Sequence, residues 1–146
     1  MGNKKYNQGF TMIELCIVVT IIGILAAIAI PDFLRFQAKS RQTEAQVILG
    51  SLVSAQMQHK LRTGVFVSCP VNPPEPRGQW NNSMPEWNRI GFGAMGNLMY
   101  QYEVVADETG FVAYARANID SDATIDVWEV SSRSISPKLI TDDVRE

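Results

Sequence analysis

Hydrophobic positions divide the chain into an apolar first part and a mixed remainder. No charged residue occurs from Leu15 to Ile30, and apolar side chains would surround a helix drawn through this run, as they do in membrane spans and assembly cores. Beyond it, apolar positions recur at the spacing of an amphipathic helix. They are Ala45, Ile48, Leu49, Leu52, Ala55 and Met57. The pattern predicts one helix from Phe10 to about Arg62, ended by Gly64, because glycine accepts the positive φ of a helix C-terminus.

Polar residues separate the apolar ones along the second half of this helix, and we expect their side chains to face solvent. They are Arg41, Glu44, Gln46, Gln56 and Lys60. The single histidine, His59, lies in the same stretch, so we expect a surface histidine rather than a catalytic one. The sequence has no phosphate-binding loop and no protease or nucleophile motif. We therefore expect that the protein is not an enzyme.

After Gly96 the pattern changes to the alternation typical of β-strands. Tyr100 to Val104 predicts a first strand, Asp107 to Gly110 a turn, and Phe111 to Ala115 the returning strand. Asp126 to Val130 predicts a third strand. A long helix followed by a small antiparallel sheet predicts an α+β head, in which the sheet packs on the amphipathic half of the helix.

A proline-rich loop is predicted between helix and sheet, from Ser68 to Arg89. Its prolines cannot continue a helix or donate to a strand ladder, and a loop of this length is usually functional or anchored by its own aromatic residues. We favour the interpretation that Trp80 and Trp87 pin the loop to the head over a ligand site. Asn81 begins a formal glycosylation acceptor sequence, to which we give little weight.

Charge and cysteine content narrow the possible functions. The formal net charge is −2, from 13 basic and 15 acidic residues, which does not suggest a surface specific for nucleic acid, since that would show a basic patch. Pairing Cys16, inside the apolar helix, with Cys69, in the loop, would pull the head onto the apolar segment. Without a disulfide, the head must be held by its core or by another element such as a metal.

A single acidic residue opens the apolar helix. Glu14 follows the segment from Gly9 to Ile13, with two lysines, Lys4 and Lys5, shortly before it. A carboxylate at the start of a membrane helix is costly and persists where something pairs with it. Together with the apolar run to Pro31, these residues resemble the class III signal of type IV pilins and type II secretion pseudopilins. The resemblance covers roughly the first third of the chain.

The resemblance implies that a prepilin peptidase cuts between Gly9 and Phe10 and methylates the new amino group of Phe10. Residues 1–9 would be the leader, 10–36 the transmembrane and filament-core half of the helix, and 37–146 the globular head with loop 68–89. This is the lollipop architecture of pilins. An ordinary secretory signal is the alternative, but an acidic residue inside the apolar run argues against it.

The resemblance also gives Glu14 a role in assembly. In a filament core its carboxylate needs a cation, and the amino group of Phe10 of a neighbouring subunit is the natural partner. The alternative is a carboxylate that caps its own helix N-terminus. Both interactions could operate in turn, first in the membrane and then in the filament.

Two residues of the apolar helix lower its stability as a helix. Pro31 breaks the hydrogen-bond ladder one turn back, and Gly23 lowers helix propensity. The resemblance implies that the stretch between them loses helical order in filaments, whereas a simple bend explains the same residues. For the aromatic residues Phe10, Phe33 and Phe36 we favour helix–helix packing over an electron-conducting stripe.

An acidic segment near the third strand suggests a calcium site. Oxygen-bearing side chains alternate there, as in calcium loops. They are Asn118, Asp120, Asp122, Thr124 and Asp126. The sixth position of an EF-hand would be Ala123 instead of glycine, so the segment is not an EF-hand. It is similar to the acidic segment that holds calcium in major pseudopilins, but we favour a polar turn capped by aspartates.

These observations predict a type IV pilus-like filament subunit that acts in adhesion, twitching motility or DNA uptake. The alternatives are the major pseudopilin of a type II secretion system and a soluble periplasmic binding protein with a cleaved signal. The family implies a homopolymer, possible minor pilins, a prepilin peptidase, an assembly ATPase and a platform protein. The precursor would lie in the inner membrane, and the subunit then in a surface filament or a pseudopilus. No cofactor is expected other than the possible calcium.

Overall fold

A computed structural model describes residues 9–119 and 124–144 of the 146-residue chain. The helices are α1 (Met12–Thr63) and α2 (Pro85–Arg89), and the strands are β1 (Cys69–Asn72), β2 (Gln101–Ala106), β3 (Phe111–Ala117), β4 (Asp126–Ser131) and β5 (Lys138–Thr141). The chain separates into two compact units, Met1–Phe36 and Gln37–Glu146. The predicted α+β fold, a long N-terminal helix followed by a small antiparallel sheet, is confirmed.

Helix α1 begins within two residues of the predicted position and ends where predicted. Gly64 has a φ of 83° and donates its N–H to the carbonyl oxygen of Lys60 at 2.8 Å, which closes the last turn. The α-helical conformation continues through Gly23 and Pro31. The loss of helical order that the resemblance implies between those two residues stays a prediction, as does the alternative of a simple bend.

The first unit presents its hydrophobic side chains outward. Its large apolar residues, from Phe10 to Phe36, are each at least 43% exposed. Burying apolar surface contributes roughly 25 cal/mol per Å², so this helix is poorly suited to standing alone in water. It requires lipid or other helices around it.

The second unit is built on a five-stranded sheet in the order β1-β2-β3-β4-β5, with every neighbouring pair antiparallel. Along β3 and β4 every second residue is buried, because successive side chains of a strand point to opposite faces. The buried face joins Leu49 and Leu52 of α1 and Tyr102 of β2 in one hydrophobic core.

Two strands, β1 and β5, were not expected from the sequence. β1 lies within the segment predicted to be loop, and its four residues include Pro70, which masks the strand pattern. β5 is also four residues long and mostly exposed, so it carries no clear alternation. Such short edge strands form because the neighbouring strand supplies the hydrogen-bond partners.

The predicted solvent-facing positions of α1 are partly wrong. Gln56 is fully buried: its Nε2 donates to the carbonyl oxygen of Val67 at 2.6 Å and its Oε1 accepts the Val67 N–H at 3.1 Å. Glu44 accepts backbone N–H groups from Met99 and Tyr100. His59 is buried too, and not a surface residue as expected. Amphipathic spacing did not reveal Gln56 and Glu44, because their partners are backbone groups outside the helix.

The loop tryptophans anchor their segment to the head, as favoured. Trp80 and Trp87 are buried, with ring centroids 4.8 Å apart in an edge-to-face arrangement, and Phe92 packs 5.4 Å from Trp80. Trp87 also donates its Nε1–H to the carbonyl oxygen of Pro70 at 2.9 Å. The aromatic cluster gives this loop a small core of its own.

Candidate assembly site

The site begins at an exposed pair of residues, Gly9 and Phe10. A Cβ atom added at Gly9 would meet no atom within 4 Å among the described residues. The fold of this chain therefore does not require glycine there. A need for glycine at this position would come from an enzyme that acts on the peptide bond that follows.

A reciprocal capping box starts helix α1. The backbone N–H of Thr11 donates to Glu14 Oε2 at 2.8 Å, and the Thr11 hydroxyl donates to the same oxygen at 2.6 Å. In return, the Glu14 N–H donates to Thr11 Oγ1 at 3.3 Å. The Thr-x-x-Glu spacing allows this because the residue before the helix and the third residue inside it face each other. The structure thus contains the interaction in which Glu14 caps the N-terminus of its own helix.

The second carboxylate oxygen of Glu14 is available for another partner. Among the described residues, Oε1 accepts no hydrogen bond and no cationic group lies in ion-pair range of Glu14. The side chain is exposed beside exposed apolar residues. Thr11 therefore holds Oε2 of Glu14 in place, while Oε1 stays accessible to a cation at the start of a hydrophobic helix.

Within the second unit, α1 also has an exposed face of small and medium side chains. Ser51 and Ser54 lie on it and donate their hydroxyls to the carbonyl oxygens of Val47 and Gly50, at 3.0 and 3.3 Å. These hydroxyls are therefore satisfied inside the helix, and another helix can cover them without leaving an unpaired polar group.

The acidic segment is organised around Asp126, which is fully buried. Its Oδ2 accepts hydrogen bonds from the Tyr100 hydroxyl at 2.5 Å and Trp128 Nε1 at 2.7 Å. Its Oδ1 accepts from Gln42 Nε2 at 3.1 Å and from the Asp143 N–H at 3.2 Å. Burial, and then the hydrogen bond to Asp126, raise the pKa of Tyr100, so this hydroxyl keeps its proton and donates it.

Two further aspartates near the C-terminus join this cluster, and sequence reasoning missed them. Asp142 Oδ1 accepts the second Gln42 Nε2 hydrogen bond at 2.9 Å, and Asp143 Oδ2 accepts the Ile119 N–H at 2.6 Å. Arg41 donates to the Ile119 carbonyl oxygen at 2.5 Å. The signal available was the acidic pair that follows a short apolar run near the C-terminus, but only the sheet brings it to β4.

The predicted calcium ligands are not assembled as ligands where the structure describes them. Asp120 and Asp122 lie outside the described residues. Both oxygens of Asp126 are occupied by donors of the protein, so Asp126 does not fit a ligand role in this arrangement. The Asn118 carbonyl oxygen accepts a hydrogen bond from Arg77 at 3.1 Å. Within residues 9–119 and 124–144, no group of three acidic, histidine or cysteine side chains could hold a metal. Calcium binding stays a prediction.

Removal of calcium with a chelator tests whether the acidic segment binds this ion. We expect excess chelator to leave the unfolding temperature of the purified full-length chain in detergent unchanged, because protein donors already satisfy Asp126. Tryptophan fluorescence during a thermal ramp measures this. A lower midpoint that calcium restores and magnesium does not would instead assign a metal to the segment.

By length and composition alone, helix α1 is long and apolar enough near its start to cross a membrane. Among the described residues, no other helix meets these criteria. A cleaved signal sequence would pass the same test. Length and composition therefore do not distinguish a membrane span from a cleaved signal, and the motif that precedes and opens the helix carries the distinction.

Comparison with known proteins finds similarity to a known family at this motif. A family model described as the prokaryotic N-terminal methylation motif matches residues 4–30. The type IV major pilin protein PilA of Myxococcus xanthus is 66% identical over 50 residues, which are 34% of this chain and 23% of that protein. The fimbrial protein EcpC of Eikenella corrodens is 43% identical over 63 residues, 43% of this chain and 41% of that protein.

The type IV major pilin protein PilE of Neisseria gonorrhoeae is 39% identical over 60 residues, which are 41% of this chain and 36% of that protein. The matched part thus spans less than half of each of these relatives. The similarity to these relatives concerns part of this chain and does not extend over the whole of these proteins.

Proposed function

We propose that the chain is a type IV pilin-like protein and the structural subunit of a type IV pilus-like filament, on the similarity of part of it to the N-terminal methylation motif and to type IV major pilins. The precursor is inserted in the inner membrane by the first half of α1. A prepilin peptidase removes residues 1–9 and methylates the amino group of Phe10. The subunit then moves into a surface filament, where it performs no catalysis of its own.

One observation carries this proposal: the exposed apolar helix opens with a carboxylate that has a free oxygen. Glu14 Oε1 has no partner among the described residues, and a charge carried into a filament core without a partner is strongly unfavourable. The amino group created at Phe10 is a cation of the right kind. Pairing between the Glu14 of one copy and the Phe10 amino group of its neighbour satisfies both groups.

Helix packing completes the proposed assembly. The apolar surface from Phe10 to Phe36 needs other helices once it leaves the lipid. The exposed face around Ser51 can join the same interface up to about Leu52, because its hydroxyls are already bonded within the helix. The assembly ATPase, the platform protein and possible minor pilins are proposed as partners from the family. Adhesion, twitching motility and DNA uptake are the proposed uses.

A pseudopilus subunit of a type II secretion system is the second candidate. It is favoured by the two cysteines, which are free, with Cys69 buried in the head. Burial raises the pKa of the Cys69 thiol to about 12, so it is an unreactive core residue. The head is thus held without a disulfide, by its core and by the hydrogen bonds of Asp126.

Mass spectrometry of sheared surface material and of membranes from the native host tests the proposal. Abundant N-terminal peptide beginning with methylated Phe10 in the sheared fraction supports a surface pilin. The same peptide confined to membranes favours a pseudopilus or a minor subunit. A chain that begins after Ala29 in either fraction would contradict the filament proposal.

The proposed cleavage site makes a direct prediction. Replacing Gly9 with valine will block removal of the leader while leaving the fold intact, because no atom of the described chain lies within 4 Å of the added Cβ. Precursor and mature forms separate on a gel. Gly50→Val, also unobstructed, is the matched control and should be processed normally. Full processing of Gly9→Val would refute the assignment.

A further inference from the structure

Two charged residues interrupt the exposed apolar surface at the end of the first unit. Asp32 and Arg35 follow Pro31 and lie among Phe33, Leu34 and Phe36, which are 56% to 79% exposed. Although Asp32 and Arg35 are three residues apart on the helix, they do not pair: the one ion pair among the described residues is between Glu103 and Arg116. Both charges are therefore open toward whatever covers this surface.

We propose that Arg35 of one copy forms an ion pair with Asp32 of a second copy of this chain, in the same interface as Glu14 and the Phe10 amino group. This inference rests on the proposed function and adds a second electrostatic contact that sets the register between subunits. The partner is a second copy because charge complementarity and helix register both favour it.

The axial register follows from the first pair. Phe10 lies four residues before Glu14, so a neighbour whose Phe10 amino group meets Glu14 is displaced by about 6 Å along the helix axis, at 1.5 Å per residue. Because the copies are identical, the same displacement holds along the whole interface. Position 36 of the first copy then faces Asp32 of the neighbour. Arg35 lies about 1.5 Å from that level, well within the reach of its side chain.

The rotational positions agree with this register. At 3.6 residues per turn, Arg35 lies about 60° short of six full turns from Glu14. When the helical path is extended back to Phe10, Asp32 lies about 40° beyond six full turns from it. Two parallel helices that face each other have opposite senses of rotation as seen from their line of contact. The negative rotation of Arg35 on one helix and the positive rotation of Asp32 on the other therefore place both residues on the same side of that line. Both side chains therefore turn toward each other.

The reverse pairing, Asp32 of the first copy with Arg35 of the same neighbour, does not occur at this register. Asp32 of the first copy faces Ile28 of the neighbour, which carries no charge, and Lys39 faces Arg35, which carries a like charge. One directed contact per interface remains. A charge covered by apolar helices without a partner is strongly destabilising, so this contact should be required for assembly rather than merely helpful.

Co-expression of two charge-reversed variants in the native host provides the test. Asp32→Arg alone and Arg35→Asp alone should each reduce sheared filament yield about tenfold or more, since each places like charges together in the interface. When both variants are expressed together, alternating copies restore an Arg–Asp pair at every interface. We expect yield to recover to at least about half of wild type.

The controls separate this contact from other causes. Leader cleavage and the membrane level of each variant should stay as in wild type, which excludes a folding defect. Arg35→Gln should lower the filament yield, whereas Arg62→Gln, at an exposed arginine of the same helix beyond the assembly segment, should not.

Several outcomes would overturn the inference. Normal assembly of either single variant would do so, as would a failure of the co-expressed variants to assemble although both are processed. Rescue by both substitutions in one chain, without rescue by co-expression, would assign an intrachain pair instead. If the wild-type chain itself is absent from filaments, the proposed function fails, which is a separate and recognisable result.

Discussion

Replacing Glu14 with alanine will leave leader cleavage intact and lower filament yield about 100-fold, because an unpaired partner charge in a low-dielectric interface costs several kcal/mol. The capping box contributes less, since a neutral helix cap is worth about 1 kcal/mol. The main loss is therefore the counter-charge for the amino group of Phe10. Filament yield is measured in sheared material, and cleavage is read from the size of the chain in membranes.

Two further variants separate charge from capping. Glu14→Gln keeps an oxygen that can accept from Thr11 but removes the charge, so it should assemble as poorly as Glu14→Ala. Thr11→Val removes the hydroxyl that donates to Glu14 Oε2 at 2.6 Å and keeps the charge, so its loss should be much smaller. Filament yield close to wild type for Glu14→Gln would show that the carboxylate acts as a helix cap alone.

Replacing Asp126 with alanine will destabilise the head by roughly 3–5 kcal/mol, because it removes the buried acceptor of four donors, of which Gln42 keeps a second acceptor in Asp142. Two of these donors, the Tyr100 hydroxyl and Trp128 Nε1, bind Oδ2 at 2.5 and 2.7 Å. Such a loss is a large fraction of the stability of a typical domain. Unfolding of the purified full-length chain in detergent, followed by tryptophan fluorescence, measures it.

Asp142→Ala is the matched control. Asp142 accepts a hydrogen bond from the same Gln42 Nε2 at 2.9 Å, but its side chain is exposed, so water replaces the lost acceptor and the effect should stay within about 1 kcal/mol. Equal destabilisation by the two substitutions would contradict the assignment of Asp126 as the polar centre of the head.

The periodic elements were predictable because their signals are local. The apolar run, the helical spacing that follows and the stop at Gly64 predicted α1 to within two residues at each end. The alternation from Tyr100 to Val104 and from Phe111 to Ala115 predicted β2 and β3. Local periodicity carries this information because a single buried face imposes it on consecutive residues.

Polar residues inside the head were not predictable in the same way. Gln56 looks like a solvent-facing position because its own side chain is polar, yet it pairs with the backbone of Val67. Glu44 likewise receives its donors from a segment more than 50 residues away. Burial of a polar group is decided by a partner that the local sequence does not contain.

The sequence by itself determined the assembly motif, since Thr11 and Glu14 lie one helical turn apart and cap each other through local geometry. It also determined that the helix carries no charge and is predominantly apolar on every side from Leu15 to Ile30. Only the tertiary structure decided how the head is held together: packing of α1 against the sheet brings Gln42, Asp126 and Asp143 to one buried point. The physical reason is range, because a helix cap needs a few consecutive residues, whereas a buried carboxylate needs donors from several distant segments at once.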